Sequence, residues 1–197
     1  MTGKSDTRRQ ILEAALERMA HYGYGKTTMA EIARDCGMSA GNIYRFFSSK
    51  VDIAEAISRH AIDEVHQTMI KTIEGPGTAA EKLRQLLFYE LRTTFARIDK
   101  KEKILQIGDV LNAERPDLVD EQLEAERGFM SDLLEQGVEE GDFAPIAHVD
   151  TAAEALQNAT MKFRFPQRFS SRNLPTLERE LTNLLDLLIA GLRNKTQ

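Results

Sequence analysis

Wherever this chain has a clear hydrophobic period, the period is three to four residues, and no run of β-branched residues alternates in strict twos. That restricts the fold to packed helices. Apolar residues at i, i+3 and i+4 share one face of a 3.6-residue turn, whereas a half-buried strand needs period two. Ile11, Leu12, Ala15, Leu16 and Met19 make one such face, and Gly23 stands where a left-handed residue can end the helix. Thr28-Met29-Ala30-Glu31 is a capping box, the threonine hydroxyl serving the glutamate amide while the carboxylate reaches back. The same spacing recurs at Thr78–Glu81 and Thr151–Glu154, and more loosely at Ser49–Asp52. Gly75-Pro76-Gly77, the loop Gly141–Pro145, and the prolines Pro116, Pro166 and Pro175 punctuate the remainder. The pattern predicts an all-α chain of about nine helices, 6–22, 28–36, 40–46, 50–73, 78–98, 102–114, 116–139, 149–164 and 175–193.

Composition narrows the class further. With 42% hydrophobic and 29% charged residues in 197, the chain has the balance of a globular protein. It has no apolar run near the ~20 residues a membrane span needs, and its charged start lacks an apolar leader segment. A cytoplasmic protein with no membrane partner is the expectation. The single cysteine, Cys36, excludes an intrachain disulfide and disfavours a thiolate metal site, so neither metal nor cofactor is expected. The net charge of −5 argues mildly against a nucleic-acid partner, but it is unevenly spread. Residues 1–60 hold nine Lys/Arg and seven Asp/Glu, leaving +2, while the rest carries −7. A DNA-facing end and a phosphate-repelling remainder fit that division.

Within the basic end, Thr28–Phe47 reads as two short helices joined by a tight turn. Ala33 is small where a second helix must cross closely, Gly37 supplies a positive φ, Met38 plugs the turn, and Ser39 is a good N-cap. Met29, Ile32, Cys36, Met38, Ile43 and Phe47 are the expected core shared with the first helix. Gly41 and Asn42 are poor helix formers at an exposed first turn, where small residues let backbone approach a groove floor. Tyr44, Arg45 and Lys50 have the reach for phosphates or base edges.

Arg9, Ile11-Leu12, Ala14-Ala15, Gly23-Tyr24, Thr27-Thr28, Ile32-Ala33, Gly37-Met38-Ser39, Gly41, Tyr44, Phe47 and Lys50 keep a joint spacing over some fifty residues. In this order they resemble the helix-turn-helix signature of tetracycline-repressor (TetR) type regulators. The resemblance implies an N-terminal three-helix DNA-binding domain over 5–50, with its motif at 28–47 and a linking helix from 50. A helical ligand-binding and dimerisation domain would follow over 51–197. It places Ala30, Ala40, Gly41, Asn42 and Arg45 against base edges, with Thr28, Tyr44 and Lys50 on phosphates and Ser39 capping the reading helix. Arg45 is the leading candidate for base readout, because its fork can bridge guanine O6 and N7. Phe46 departs from the pattern, standing where the family often carries a histidine or other polar residue.

Plainer readings compete at several positions. Tyr44 could pack its ring on the first helix, and Cys36 reads as a buried structural thiol. Asp63-Glu64-Val65-His66 puts an acid three residues before a histidine, but di-iron bundles need that spacing twice, and no second copy exists. The charge-rich 120–127 stretch reads as an exposed helix face. No Ser-His-Asp or Cys-His set can be assembled, so an enzyme is not expected. The competing class is an all-helical enzyme or lipid-binding bundle whose N-terminal match is accidental.

The leading class is a ligand-responsive transcription regulator, a repressor by the family's usual mode, with a palindromic DNA duplex as partner. Dimerisation is expected through the last two long helices. Leu177, Leu181, Leu184 and Leu188 belong to a stripe wider than one neighbour needs, and Ala152, Ala155 and Ala159 form a small-residue face. A small, largely apolar effector is expected within 60–165, with Met69, Phe88, Phe129 and Met161 as lining and His66 and Arg92 as polar contacts.

Overall fold

The computed structural model describes residues 3–99 and 102–193. Within them the chain forms ten α-helices and one 3-10 turn, with no strand. The helices are α1 (Gly3–Tyr22), α2 (Met29–Asp35), α3 (Ala40–Ile43), α4 (Lys50–Glu74), α5 (Ala79–Asp99), α6 (Leu105–Glu114), α7 (Pro116–Glu139), α8 (Val149–Arg164), α9 (Pro166–Phe169) and α10 (Leu174–Arg193). The 3-10 turn is Glu102–Ile104. Two features depart from the sequence reading. A short α9 begins at Pro166, whose fixed φ suits a first helical position, and α3 ends at Ile43 where the sequence predicts a helix to 46.

The caps explain most boundaries. Thr28 and Glu31 form the reciprocal box, with Glu31 N donating to Thr28 Oγ1 at 3.3 Å and Thr28 N to the Glu31 carboxylate at 2.9 Å. Thr78 and Glu81 repeat it at the same distances. Ser49 makes only half a box: its Oγ accepts from Asp52 N at 3.2 Å, while the Asp52 carboxylate turns to Ser48 and Arg115. The third expected box is absent. α8 begins two residues before Thr151, with His148 as N-cap and no side-chain capping bond, because Val149 packs into the core and carries the helix start with it.

The chain divides into two compact units, and the division does not fall at residue 50. The first takes residues up to Asp63 together with Ile98–Asp120, and the second takes Glu64–Arg97 and Glu121 onward. Burial gives the reason. Val51, Ile53 and Ala54 of α4, Ile107 and Leu111 of α6 and Leu118 of α7 close over Ile11, Ala15, Met19, Ile32 and Ile43 in one core. The second core runs from Met69 through Leu83, Leu87 and Leu91 of α5 and Leu133 and Leu134 of α7 to Leu177, Leu181, Leu185 and Ile189 of α10. Gly137 of α7 is there for space, since a Cβ would stand 2.2 Å from Phe143 Cδ2 and 2.8 Å from Ala79 Cβ.

Candidate nucleic-acid interface

The turn between α2 and α3 is a complete Schellman motif. Met38 N donates to Ala33 O at 2.9 Å, Gly37 N donates to Arg34 O at 3.0 Å, and Gly37 carries the required φ of +67°. Met38 then packs against the first core, while Ser39 Oγ accepts from Asn42 N at 3.3 Å to start α3. Only Ala40–Ile43 are α-helical. Beyond them Arg45 N and Phe46 N bond three residues back, to Asn42 O and Ile43 O, so the helix tightens as Phe47 enters the core.

Exposure sorts the expected DNA contacts. Ala30, Ser39, Ala40, Gly41, Tyr44 and Arg45 are exposed, and Asn42 is half-buried. Tyr44 keeps 54% of its surface in solvent, so packing on α1 does not account for its ring. The Arg45 side chain makes no hydrogen bond or ion pair with the described residues, which leaves its fork available. Thr28 is exposed, but its hydroxyl donates to the Glu31 carboxylate at 2.8 Å, so a phosphate would have to compete for that proton.

Lys50 is already engaged within the protein. Expected on a phosphate, its Nζ donates to Tyr24 O and Thr27 O, both at 2.7 Å, and lies 4.1 Å from the Tyr24 ring centre. Burial pulls its pKa below the usual lysine range, with Glu114 and Glu31 opposing. Two of its three N–H bonds thus tie the start of α4 to the loop after α1. Cys36 is half-buried, its thiol pushed up by burial and by Asp35, which fits a structural cysteine.

Three positioning residues escaped the sequence reading. Arg18, only 11% exposed, bridges Glu31 and Asp35 at 3.1 Å each and fixes α1 on α2. Arg8 donates to Phe46 O at 3.3 Å and covers the Phe47 ring at 4.2 Å, holding the exit of α3. Arg115 meets Asp52 at 3.0 Å and Glu55 at 3.3 Å, anchoring the first turns of α4 to the α6–α7 corner. Each arginine is far in sequence from its partners, so no local spacing announces the contact.

In the second unit the expected ligand residues scatter. His66 and Phe129 meet edge to face at 5.2 Å, and Met69 is core. Phe88 and Met161 are half-buried. Arg92 is a correction: it is exposed, pairs with Glu178 at 2.6 Å and covers Phe88, and so belongs to the α5–α10 surface. The dimer residues separate in the same way. Leu177 and Leu181 are fully buried within their own subunit, which removes them from any interface, because α10 turns its 177–181–185–189 edge inward. Leu184 and Leu188 lie half-buried beside that edge, Leu187 is 72% exposed, and Ala155 and Ala159 are exposed on α8 with Ala152 half-buried. The 120–127 stretch is exposed at Asp120, Glu121 and Glu124, but Glu126 within it departs from that face and is 2% exposed.

Comparison with known proteins agrees with this geometry. Residues 11–57 match the family of "Bacterial regulatory proteins, tetR family", and residues 79–185 match "Tetracyclin repressor-like, C-terminal domain". The chain belongs to the tetR family. It is a DNA-binding transcriptional regulator with the family's two-part, all-helical build. Among relatives of this tetR-family protein, the "Fatty acid metabolism regulator protein" of Bacillus subtilis is 23% identical, covering 94% of this chain and 95% of the relative. A TetR/AcrR-family regulator from Thermobifida fusca superposes with a TM-score of 0.73 at 24% identity, over 96% of this chain and 100% of the other. The regulator FadR from Bacillus subtilis, solved with stearoyl-CoA, gives 0.69 at 20% identity over 93% and 98%.

Proposed function

We propose that this tetR-family protein is a cytoplasmic repressor that binds a palindromic operator as a homodimer and is released by a small apolar effector held in its second unit. The observation that carries the DNA half is the exposed Tyr44–Arg45 pair, its guanidinium uncommitted, at the exit of a helix fixed by a Schellman turn, the Ser39 cap and Arg8. Ala40, Gly41 and Asn42 would approach base edges, Arg45 would read guanine, and Tyr44 would bond phosphate, with the third N–H of Lys50 and the Thr28 hydroxyl as secondary contacts.

Two-fold DNA requires two-fold protein. The surface supporting it is the outer edge of α8 and α10, where Ala155, Ala159, Leu184, Leu187 and Leu188 lie, with Lys162 joined to Glu180 at 2.5 Å alongside. The effector class is suggested by relatives: a fatty acid metabolism regulator, and a regulator crystallised with stearoyl-CoA, both point to long acyl chains. α4 is the proposed link. Its 25 residues make a rod of ~37 Å whose first half belongs to one unit and whose second half belongs to the other.

Footprinting on genomic fragments enriched by the protein tests the reading. Protection of two half-sites about one helical turn apart, ~34 Å or a multiple of it, supports it. A folded protein that protects no fragment would instead favour an all-helical bundle without a DNA role.

A further inference from the structure

The first unit holds a groove of about 510 Å³ between α1 and α4, with the residues that leave α3 in its wall. Its apolar lining is Leu12, Phe46, Phe47 and Ala56. Phe47 belongs to the first core, and the other three lie half-buried against that core. Phe46, the residue that departs from the tetR-type pattern, here adds apolar surface to the groove.

Most of the charge in the groove is matched from within the protein. Glu55 pairs with Arg59 at 2.9 Å and with Arg115 at 3.3 Å. Asp52 accepts from Ser48 and from Arg115, the latter at 3.0 Å. With His60 neutral, a single charge of each sign is left over. Asp63 is exposed and makes no hydrogen bond or ion pair with any described residue. Arg8 has no acidic partner among them: its one hydrogen bond is a long one of 3.3 Å to Phe46 O, and its guanidinium rests on the Phe47 ring. The rest of its donor fork is open. The two charges stand at opposite ends. Arg8 is tied to Phe46, two residues before the Ser48 that bonds Asp52, whereas Asp63 lies ~17 Å further along α4.

An apolar wall with an open charge of each sign is the complement of an amphipathic zwitterion. We infer that the groove is a second small-molecule site, for a long-chain amino carboxylate. Its carboxylate pairs with Arg8 in the forked geometry a guanidinium favours, its ammonium pairs with Asp63, and its aliphatic body lies on Leu12, Phe46 and Ala56. The site lies wholly in the first unit and is separate from any effector held in the second. It also has a consequence for α3. A carboxylate accepts more strongly than a backbone carbonyl, so occupancy draws Arg8 away from Phe46 O and removes one tie on the exit of the recognition helix. Operator affinity then falls.

Calorimetric titration of the full-length protein with ω-aminoalkanoates of six to twelve carbons tests the site. Their N-acetyl and carboxamide counterparts remove one charge at a time. One chain length should bind best, and N-acetylation should weaken it about fivefold, the upper range for a solvent-exposed ion pair. Asp63→Asn should erase that N-acetyl penalty while keeping the carboxamide penalty, and Arg8→Gln should do the reverse. Without ligand, Asp63→Asn should bind operator as the natural protein does, because Asp63 holds no other residue. Saturating the natural protein with the best aminoalkanoate should weaken operator binding about fivefold, the size of one ordinary hydrogen bond. No binding to the folded natural protein up to millimolar ligand, or an N-acetyl penalty that survives in Asp63→Asn, overturns the site. Operator affinity unchanged at saturation overturns the link to α3.

Discussion

Arg45 is a charged side chain with no protein partner, and Glu90 is a carboxyl drawn into an apolar core. Arg45 is exposed at the exit of the recognition helix, which suits a group whose partner is a base. Arg45→Ala should cost ~1–3 kcal/mol of operator binding and relax sequence choice at one position, as read by affinity across single-base operator variants. An equal loss on every sequence would make it a phosphate contact instead. Lys50→Ala would not isolate a phosphate contact, since it would also release Tyr24 and Thr27. Glu90 predicts a stability slope. Its folded pKa is raised, so the native chain keeps a proton that the unfolded chain gives up. Stability is unaffected below the ordinary glutamate range and falls as pH climbs from there to the raised value. Thermal unfolding should show that slope in the natural protein and lose it in Glu90→Gln. Arg45 stands out in the sequence because its proposed role follows from position in a local motif. Glu90 and Glu126 do not, because a charged residue is ordinarily assigned to solvent, although both interrupt an apolar stripe at core spacing.

At the scale of elements, what lay within one turn of helix was legible and what depended on distant packing was not. The Thr28 and Thr78 boxes, the Gly37 turn and the Ser39 cap involve residues three to five apart, and all four stand. Thr151 has the same local spelling, yet α8 starts earlier because Val149 is drawn into the core. Gly137 shows packing overriding propensity in the other direction. Alanine there would ordinarily stabilise a helix by ~1 kcal/mol, but the Phe143 ring occupies the place of its Cβ. Gly137→Ala should therefore destabilise by ~1–2 kcal/mol in chemical denaturation, the usual scale of overpacking. The leucine stripe of α10 was legible as a stripe, but its division into an inward and an outward edge was not. Leu187→Glu tests the outward edge: at 72% exposure it should leave subunit stability within about 0.5 kcal/mol while shifting sedimentation from dimer to monomer. A natural protein that sediments as a monomer at micromolar concentration would remove the proposed interface.

For the whole molecule, the departure from the expected 50/51 boundary bears on control. α6 and the start of α7 pack with the DNA-binding helices, so the chain passes between the two units three times, near residues 63, 97 and 120. Arg115 fastens one of those segments to the first turns of α4. An effector that favours one arrangement of these segments need differ in affinity for the two states only 100-fold to supply ~2.7 kcal/mol of coupling. Thermodynamic reciprocity then fixes the converse. The most direct test of a ligand-responsive regulator is to titrate stearoyl-CoA into the protein alone and into the protein saturated with its footprinted operator. The account predicts that operator weakens stearoyl-CoA binding by the same factor by which stearoyl-CoA weakens operator binding. Equal effector affinities in the two titrations would contradict it.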